Sequence, residues 1–308
     1  MALLYNLGKM EIEMLHIITD TIGASQDNAK HMYEQNISLS LDTLFQAAAA
    51  EAAYALPKKS GDNNLSYNRY MDRLKDISHD YPQIIVDKIS HLVELKSSQD
   101  FIILKDTRQI EIDGYIGNEC HIATRGTDTN PQHFHSTLLR DVFNDIQILS
   151  GTIPHRTETL INAVEKVLNT HPECRSWTAT GHSLGGRLID ELIAFANANR
   201  AWRPQITGYI FEPGKVLWDG TNKSGYQNEN LTEYRFSCDF ISKGPSSAGI
   251  VYHNHSDTIN PFNVLSCHSM NNYTDRRNIS IIPSGHAGGI EGEVTLPNTE
   301  NELLQHEL

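Results

Sequence analysis

The amino-acid sequence predicts an α/β fold built on a mainly parallel sheet. From residue 101 onward, short runs rich in β-branched and aromatic residues alternate with amphipathic segments of helical period. A glycine-rich run, Gly-His-Ser-Leu-Gly-Gly at residues 181–186, joins one such strand to one such helix. The chain has 308 residues, 39% of them hydrophobic, which is enough for one domain with a sizeable core and added helices.

The region before residue 98 is expected to be helical. An alanine-rich run at 41–55 favours a helix that ends before Pro57, and apolar residues recur at helical spacing over 84–93. The polar stretch 58–68 between them is expected to be a loop. Three segments are therefore predicted: a helical N-terminal extension packing on the core at 1–97, an α/β core at 98–288, and a loose acidic tail at 289–308.

Within the core, turn residues and apolar runs divide the chain into short elements. Turns are expected at Asp106-Thr107 and at Gly117-Asn118. The predicted strands are 101–104, 110–115, 120–124, 176–180, 206–211 and 234–238. The predicted helices are 138–149, 160–168 and 184–199.

Charge and cysteine content exclude several classes of function. A net charge of −13 disfavours binding to nucleic acid or to anionic membrane surfaces. The four cysteines, Cys120, Cys174, Cys238 and Cys267, are widely spaced and form no Cys-x-x-Cys pair. Because disulfide frameworks belong mainly to small secreted chains, we expect reduced thiols. Because no close Cys/His pair recurs, we expect no zinc site, and the predicted chemistry requires no metal or organic cofactor.

Targeting signals are not evident at the start of the sequence. Polar and charged residues interrupt its apolar ones, no basic segment precedes them, and no apolar stretch is long enough to span a bilayer. We expect a soluble, cytoplasmic protein without transmembrane anchoring. The acidic tail resembles the signals of bacterial type IV secreted effectors, so export without a signal peptide stays an alternative. The oligomeric state is left open.

The glycine-rich run has the pattern of a nucleophile turn. In Gly-x-Ser-x-Gly between a strand and a helix, Gly181 and Gly185 let the backbone crowd, and Ser183 projects at the carboxyl edge of the sheet. The amides that begin the following helix then face the same point. A chance glycine-rich turn is the alternative, and the strand and helix on either side disfavour it.

The complete run at 181–186 resembles the corresponding motif of the class 3 lipases, the fungal triacylglycerol lipases and their bacterial relatives. The resemblance to this family extends over residues 101–273. A second marker of this family, an Arg-Gly-Ser/Thr after a strand, is matched by Arg125-Gly126-Thr127. The resemblance implies an α/β-hydrolase fold and an oxyanion hole formed by Thr127 and the backbone amide of Leu184. Gly181, His182 and Gly185 would support the nucleophile turn.

The acid of a catalytic triad follows the serine in this fold, just after a strand. Three aspartates compete. Asp219 lies in a turn next to a glycine and Asp257 in a polar run, whereas Asp239 directly follows the predicted strand at 234–238. The segment that begins at Asp239 also resembles the Asp-x-Val segment of the family, so Asp239 is selected.

The histidine follows the acid in the same chain order. His253 and His255 come soon after Asp239, and His286 lies in a glycine-rich stretch typical of a surface loop. His268 begins the run His-Ser-Met-Asn-Asn-Tyr, which resembles the His-Ser-Met-x-x-Tyr ending of bacterial class 3 relatives. We therefore expect His268 to be the base, with His286 as the reserve candidate.

Some positions depart from the family. Arg187 and Ile189 replace small residues after the nucleophile turn, and Thr124 stands where an aromatic residue is usual. The stretch 128–136, where the family often has a lid, holds Phe134 as its one large apolar residue. The resemblance implies hydrolysis of carboxylic esters, with lipid esters as substrates and a role in lipid metabolism as a lipase, phospholipase or carboxylesterase. The alternatives are a thioesterase, amidase or acyltransferase with the same triad, and a lipid-binding or interaction protein with a vestigial site.

Overall fold

The computed structural model describes most of the chain between residues 37 and 295. The described residues are 37–57, 63–112, 114–126, 153–199, 206–214, 228–236, 248–254, 268–274, 279–282 and 294–295, together with Asp239, Ser242 and Ser246.

Six helices and ten strands are described in these ranges. The helices are α1 (Leu41–Ala52), which continues as a 3₁₀ turn (Ala53–Ala55), α2 (Asn63–Ile77), α3 (Gln83–Ser90), α4 (Ile153–Thr170), α5 (Leu184–Ala198) and α6 (Asn271–Thr274). The strands are β1 (Ile37–Ser40), β2 (Leu92–Ser97), β3 (Phe101–Ile112), β4 (Tyr115–Thr124), β5 (Cys174–His182), β6 (Ile206–Phe211), β7 (Asn228–Phe236), β8 (Ala248–Asn254), β9 (Ile279–Ile282) and β10 (Val294–Thr295).

One mixed sheet of eight strands forms the centre of the molecule, in the order β10-β8-β7-β6-β5-β4-β3-β2. Neighbours from β4 to β8 pair in parallel, while β2, β3 and β4 pair antiparallel. β1 and β9 form a separate parallel pair. This arrangement confirms the predicted α/β class with a mainly parallel sheet.

Two groups of helices cover the two faces of the sheet. Because β4, β5 and β6 are neighbours in chain order, right-handed connections place α4 and α5 on one face. We call this the crossover face; its core includes Leu160, Val164, Leu188 and Leu192. The opposite, N-terminal face is covered by α1, α2 and α3, and its core includes Leu44, Phe45, Tyr70, Leu74 and Ile89.

The N-terminal region differs from its sequence pattern in two places. α2 begins at Asn63, inside the stretch expected to be a loop. Leu92 and Val93, expected to continue a helix, lie in β2 and pair with β3. Apolar residues over so short a stretch fit either period, and the open edge of β3 selects the strand. The central sheet therefore begins at Leu92, within the segment assigned to the helical extension.

The two turns expected between the short predicted strands lie inside longer strands instead: Asp106-Thr107 lies in β3 and Gly117-Asn118 in β4. The register of β3 shifts between Lys105 and Gln109, where the backbone amide of Arg108 donates to Asp106 Oδ1 at 2.9 Å. The side chain of Asn118 donates to the carbonyls of Asp106 and Arg108, which satisfies the irregular backbone. A local aspartate bond therefore produces a β-bulge here, and the chain reverses at Gly114, whose φ is +78°.

Cys120 and Cys174 are joined by a disulfide between β4 and β5. The expectation of reduced thiols is wrong for this pair. The two residues are separated by 54 positions in sequence, but the parallel register places Asn118 opposite Cys174, so Cys120 lies nearby. Both side chains are buried in the core of the crossover face. Cys238 and Cys267 lie outside the described residues.

The last strand changes one further expectation. Val294 and Thr295, in the segment expected to be a loose tail, pair antiparallel with β8 and form the edge of the sheet.

Among the described helices, none combines the length and the apolar character needed to cross a membrane.

Candidate active site

Ser183 occupies a sharp turn between β5 and α5. Its φ of 55° lies in the left-handed region, which non-glycine residues seldom adopt. Two backbone hydrogen bonds hold it there: the Ser183 amide donates to the carbonyl of Phe211 at 3.0 Å, and the Gly214 amide donates to the carbonyl of Ser183 at 2.9 Å. The end of β6 therefore supports a strained serine at the carboxyl edge of the sheet.

The two glycines of the turn are required by crowding. A Cβ on Gly181 would lie 2.5 Å from the carbonyl oxygen of Gly185, and one on Gly185 would lie 2.5 Å from that of Thr124. Thr124 Oγ1 donates to the Gly185 carbonyl at 2.8 Å and so ties β4 to the start of α5. The departure at Thr124 thus supplies a hydrogen bond to the turn.

Ser183, His268 and Asp239 form a hydrogen-bonded chain. His268 Nε2 lies 2.9 Å from Ser183 Oγ, and His268 Nδ1 lies 2.7 Å from Asp239 Oδ2. All three residues are buried, with 4%, 9% and 0% of their surface exposed. In this arrangement Nδ1–H donates to the carboxylate, and Nε2 accepts from the serine hydroxyl, which is the geometry of a serine hydrolase triad.

The mixed sheet and the strained serine at the end of its central strand decide the fold. This chain has the α/β-hydrolase fold. No protein-family model matches the sequence, and the search of curated proteins found no match.

Two solved structures are similar to this α/β-hydrolase chain. A mutant form of MDLA from Penicillium cyclopium is 13% identical, covers 70% of this chain and 80% of its own, and has a TM-score of 0.37. Lipase II from Rhizopus niveus is 12% identical, covers 71% and 82% respectively, and has the same TM-score of 0.37.

The remaining site candidates from the sequence fall into two groups. Leu184 is the first residue of α5, where the opening amides have no partner within the helix. His253 lies in β8 opposite Arg235. The other sequence candidates lie outside the described residues: Thr127, the lid stretch 128–136, Asp219, His255, Asp257 and His286.

His182, expected as support for the turn, links the nucleophile to the base. Its Nε2 donates to the main-chain carbonyl of His268 at 2.8 Å, and its Nδ1 accepts from the hydroxyl of Tyr54 at 2.6 Å. Burial, and then the neighbouring His268, hold the pKa of His182 well below its usual value. His182 is therefore a neutral ring that binds the backbone of the base.

The N-terminal face holds the segment that carries the base, a role that the sequence does not reveal. Tyr81 donates to the carbonyl of Thr274 at 2.9 Å. The hydroxyl of Thr274 bonds to the carboxylate of Glu51, which also pairs with Arg73. These partners are far apart in sequence, so no local motif marks them.

Glu212 is a further residue of the site that the sequence analysis did not identify. It directly follows β6, has a φ of 43° and is fully buried. Its Oε1 accepts from the Phe236 amide at 2.7 Å and from the Tyr273 hydroxyl at 2.5 Å, and its Oε2 accepts from Ser242 at 2.9 Å. Burial, and then the charge of Asp239, raise the pKa of Glu212 well above its usual value. Its only signal in the sequence is an acid at the end of a strand next to the nucleophile strand.

Glu212, Asp239 and His268 also bring three potential ligand atoms within 4.8 Å of one another. The ring of His268, however, uses one nitrogen for Asp239 and the other for Ser183. Because no ring nitrogen is then left for a metal, we assign none to this cluster.

Proposed function

We propose that this protein is a serine hydrolase that cleaves carboxylic esters through an acyl-enzyme on Ser183. The supporting observation is the continuous hydrogen-bonded chain from Ser183 Oγ through His268 to Asp239, at 2.9 and 2.7 Å. A serine hydroxyl is a weak nucleophile until a histidine removes its proton, and the histidine needs a carboxylate to hold its tautomer. The hydrogen-bonded chain supports the proposal because it contains a serine, a histidine and a carboxylate in this order.

In the first half of the reaction, Ser183 Oγ attacks the acyl carbonyl while His268 Nε2 takes the hydroxyl proton. The imidazolium is stabilised by the Asp239 carboxylate and returns the proton to the leaving alcohol, which yields the acyl-enzyme. In the second half, water attacks the acyl group, His268 accepts its proton and then returns it to Ser183 as the acid leaves. All protons are conserved within the triad and the products.

The charge that develops on the carbonyl oxygen needs hydrogen-bond donors. The Leu184 amide opens α5 beside Ser183, so it supplies one donor together with the partial positive charge of the helix end. By the resemblance of Arg125-Gly126-Thr127 to the class 3 lipase motif, Thr127 supplies the second. The chemistry uses no metal or organic cofactor.

The proposed substrates are lipid esters, as for a lipase, phospholipase or carboxylesterase. This narrower assignment is supported by the Gly-His-Ser-Leu-Gly-Gly and His-Ser-Met motifs and their resemblance to class 3 lipases. An acyl-length series of p-nitrophenyl esters and a panel of phospholipids would identify the acyl chain and the headgroup.

The central test removes the nucleophile. Ser183→Ala should lower turnover of a p-nitrophenyl ester by roughly 10⁴- to 10⁶-fold with little loss of stability, because the hydroxyl reacts and does not pack. Asp239→Asn should cost roughly 10⁴-fold, because the tautomer of His268 is then wrong. A fluorophosphonate should label the wild-type protein at Ser183, as read by peptide mass spectrometry.

Ser90→Ala is the matched control, since the Ser90 hydroxyl only donates to the Asp87 carbonyl on the exposed surface. It should leave both turnover and labelling unchanged. Full turnover in Ser183→Ala, or labelling at another serine, would contradict the proposed function. A wild-type protein that binds lipid but neither turns over nor reacts with the probe would indicate a vestigial site.

A further inference from the structure

A second buried carboxyl lies against the triad, and the mechanism above gives it no role. Glu212 directly follows β6, the strand next to the nucleophile strand, and is 0% exposed. Its backbone has a φ of 43°, in the left-handed region that non-glycine residues seldom adopt. Residues held in such a conformation are common at functional sites. Glycine would adopt it without strain, so the presence of glutamate indicates that the side chain has a role.

The hydrogen bonds of Glu212 distinguish its two oxygens. Oε1 accepts from two donors, the Phe236 amide and the Tyr273 hydroxyl, as a carbonyl oxygen does. Oε2 accepts from Ser242 at 2.9 Å. Glu212 also shares a side-chain hydrogen bond with Asp239, and a carboxyl oxygen of one residue lies within 4.8 Å of a carboxyl oxygen of the other. A hydrogen bond between two carboxyl groups requires a proton on one of them.

The proton belongs on Glu212 for an electrostatic reason. Two adjacent carboxylates in a buried site cannot both be ionised without a large penalty. Asp239 accepts from His268 Nδ1 at 2.7 Å and must be negative to stabilise the imidazolium. Glu212 has no cationic partner among its described contacts, which come from an amide and two hydroxyls.

We propose that Glu212 is a positioning residue that acts through Asp239, as a neutral carboxylic acid whose Oε2–H donates to the carboxylate that orients His268. This inference rests on the proposed serine hydrolase function. Through Phe236, Ser242 and Tyr273, Glu212 joins the end of β7, the segment after it and α6, which are the elements that flank the acid and the base. It therefore fixes which Asp239 oxygen is left for His268.

The titratable groups around Glu212 are consistent with a neutral carboxyl at neutral pH. Asp239 faces it from the segment after β7 and Tyr273 from α6. Tyr234 of β7 lies beside Tyr273, His268 lies beyond Asp239, and His182 lies beyond His268. Burial, and then the charge of Glu212 in its ionised form, raise the pKa of Tyr273 well above its usual value. Tyr273 therefore stays a neutral donor.

The test compares Glu212→Gln with Glu212→Met, assayed on p-nitrophenyl acetate from pH 5 to 9. Glutamine keeps a neutral donor for Asp239, so kcat should stay within about threefold and the acid limb of kcat/KM within about 0.3 pH unit. Methionine keeps the size but donates nothing, so kcat should fall about 10- to 100-fold with little change in KM. Its acid limb should move to higher pH, because an Asp239 carboxylate that has lost a hydrogen-bond donor stabilises the imidazolium form of the base more strongly.

Glu233→Gln is the matched control, since Glu233 is a buried carboxylate of β7 that pairs with Arg235. It should lower the melting temperature and leave the pH profile unchanged. If Glu212→Gln loses kcat more than 100-fold, or its acid limb moves down by a unit, Glu212 is ionised and the inference is wrong. This result is readable even if Glu212→Met does not fold. A wild-type protein with no turnover and no fluorophosphonate labelling would instead contradict the proposed function itself.

Discussion

The crossover face and the N-terminal face both bury apolar side chains against the central sheet, but they serve different members of the candidate triad. On the crossover face, α5 begins one residue after Ser183, so the helix that packs there also shapes the nucleophile turn. On the N-terminal face, Tyr54, Glu51 and Tyr81 reach the segment at 268–274 directly or through His182. The nucleophile is thus positioned by its own turn and by the ends of the neighbouring strands β4 and β6, and the base by residues of the N-terminal face.

The polar content of the two faces also differs. The N-terminal face contains a buried network in which Gln46 donates to Thr178 Oγ1 at 2.9 Å and His121 Nδ1 lies 2.6 Å from the same oxygen. The core of the crossover face holds the Cys120–Cys174 disulfide among aliphatic side chains and Trp177. We therefore expect changes in the apolar core of the crossover face, away from the nucleophile turn, to alter stability alone. Changes on the N-terminal face should alter both stability and turnover.

The largest expected effect on stability comes from the disulfide. Because the bond closes a loop of 54 residues, its loss should lower the free energy of unfolding by about 4 kcal/mol in the chain-entropy account. A Cys120→Ala, Cys174→Ala double variant should therefore unfold at lower urea, with kcat of the folded protein within about twofold of wild type. Thiol counting by mass spectrometry, with and without reductant, checks that the bond is present. A variant with normal stability and low kcat would contradict the expectation that the core of the crossover face affects stability and not turnover.

A matched pair of core truncations sharpens the comparison. Leu192 on α5 and Leu44 on α1 are both 0% exposed, so each change to alanine should cost about 2–5 kcal/mol in urea unfolding. Leu192→Ala should keep kcat within about twofold. Leu44→Ala should also lower kcat roughly tenfold, because a small shift of α1 moves the Glu51 contact that holds the base segment. Equal kcat values in the two variants would show that the faces do not differ.

The smallest expected effect is a pH dependence confined to the N-terminal face. His121 and His182 both have pKa values held well below the usual 6.5, mainly by burial. The unfolded chain binds protons there more readily than the folded one, so these groups do not affect stability above pH 6.5 and reduce it as pH falls below that value. Between pH 6.5 and 5, each should cost at most about 2 kcal/mol.

Urea unfolding at pH 7 and pH 5 measures this loss. In His121→Gln, the free energy of unfolding should fall less between pH 7 and pH 5, by the part that His121 contributes. In Leu192→Ala, the fall between the two pH values should equal that of wild type. A loss at pH 5 that His121→Gln leaves unchanged would place the sensitivity elsewhere.

The crossover face was largely predictable from sequence. The helix predicted at 160–168 lies within α4 (Ile153–Thr170), and the strand predicted at 206–211 is β6; both follow from local periodicity. Ser183 follows from a motif whose two glycines avoid contacts of 2.5 Å. Predictions failed where a distant partner decided the structure. The edge of β3 made Leu92 and Val93 a strand, and the register of β4 against β5 brought Cys120 to Cys174.

The site shows the same division. His268 and Asp239 were selected by chain order and by resemblance to a family, and the structure brings both to Ser183; their catalytic roles stay predictions. Glu212 and Glu51 were missed because their significance lies in contacts across 61 and 223 residues, to Tyr273 and Thr274. Thr127 stays a prediction from resemblance alone.

The contact between Glu51 and Thr274 has a consequence for biosynthesis. It spans 223 residues, and that between Tyr81 and Thr274 spans 193, so both are among the last to close as the chain emerges from the ribosome. The nucleophile turn, complete once β6 has joined β5, forms much earlier. In a nascent chain the turn at Ser183 can therefore form before residues 268–274 are free to dock, so the contacts that hold the segment of His268 are among the last to close.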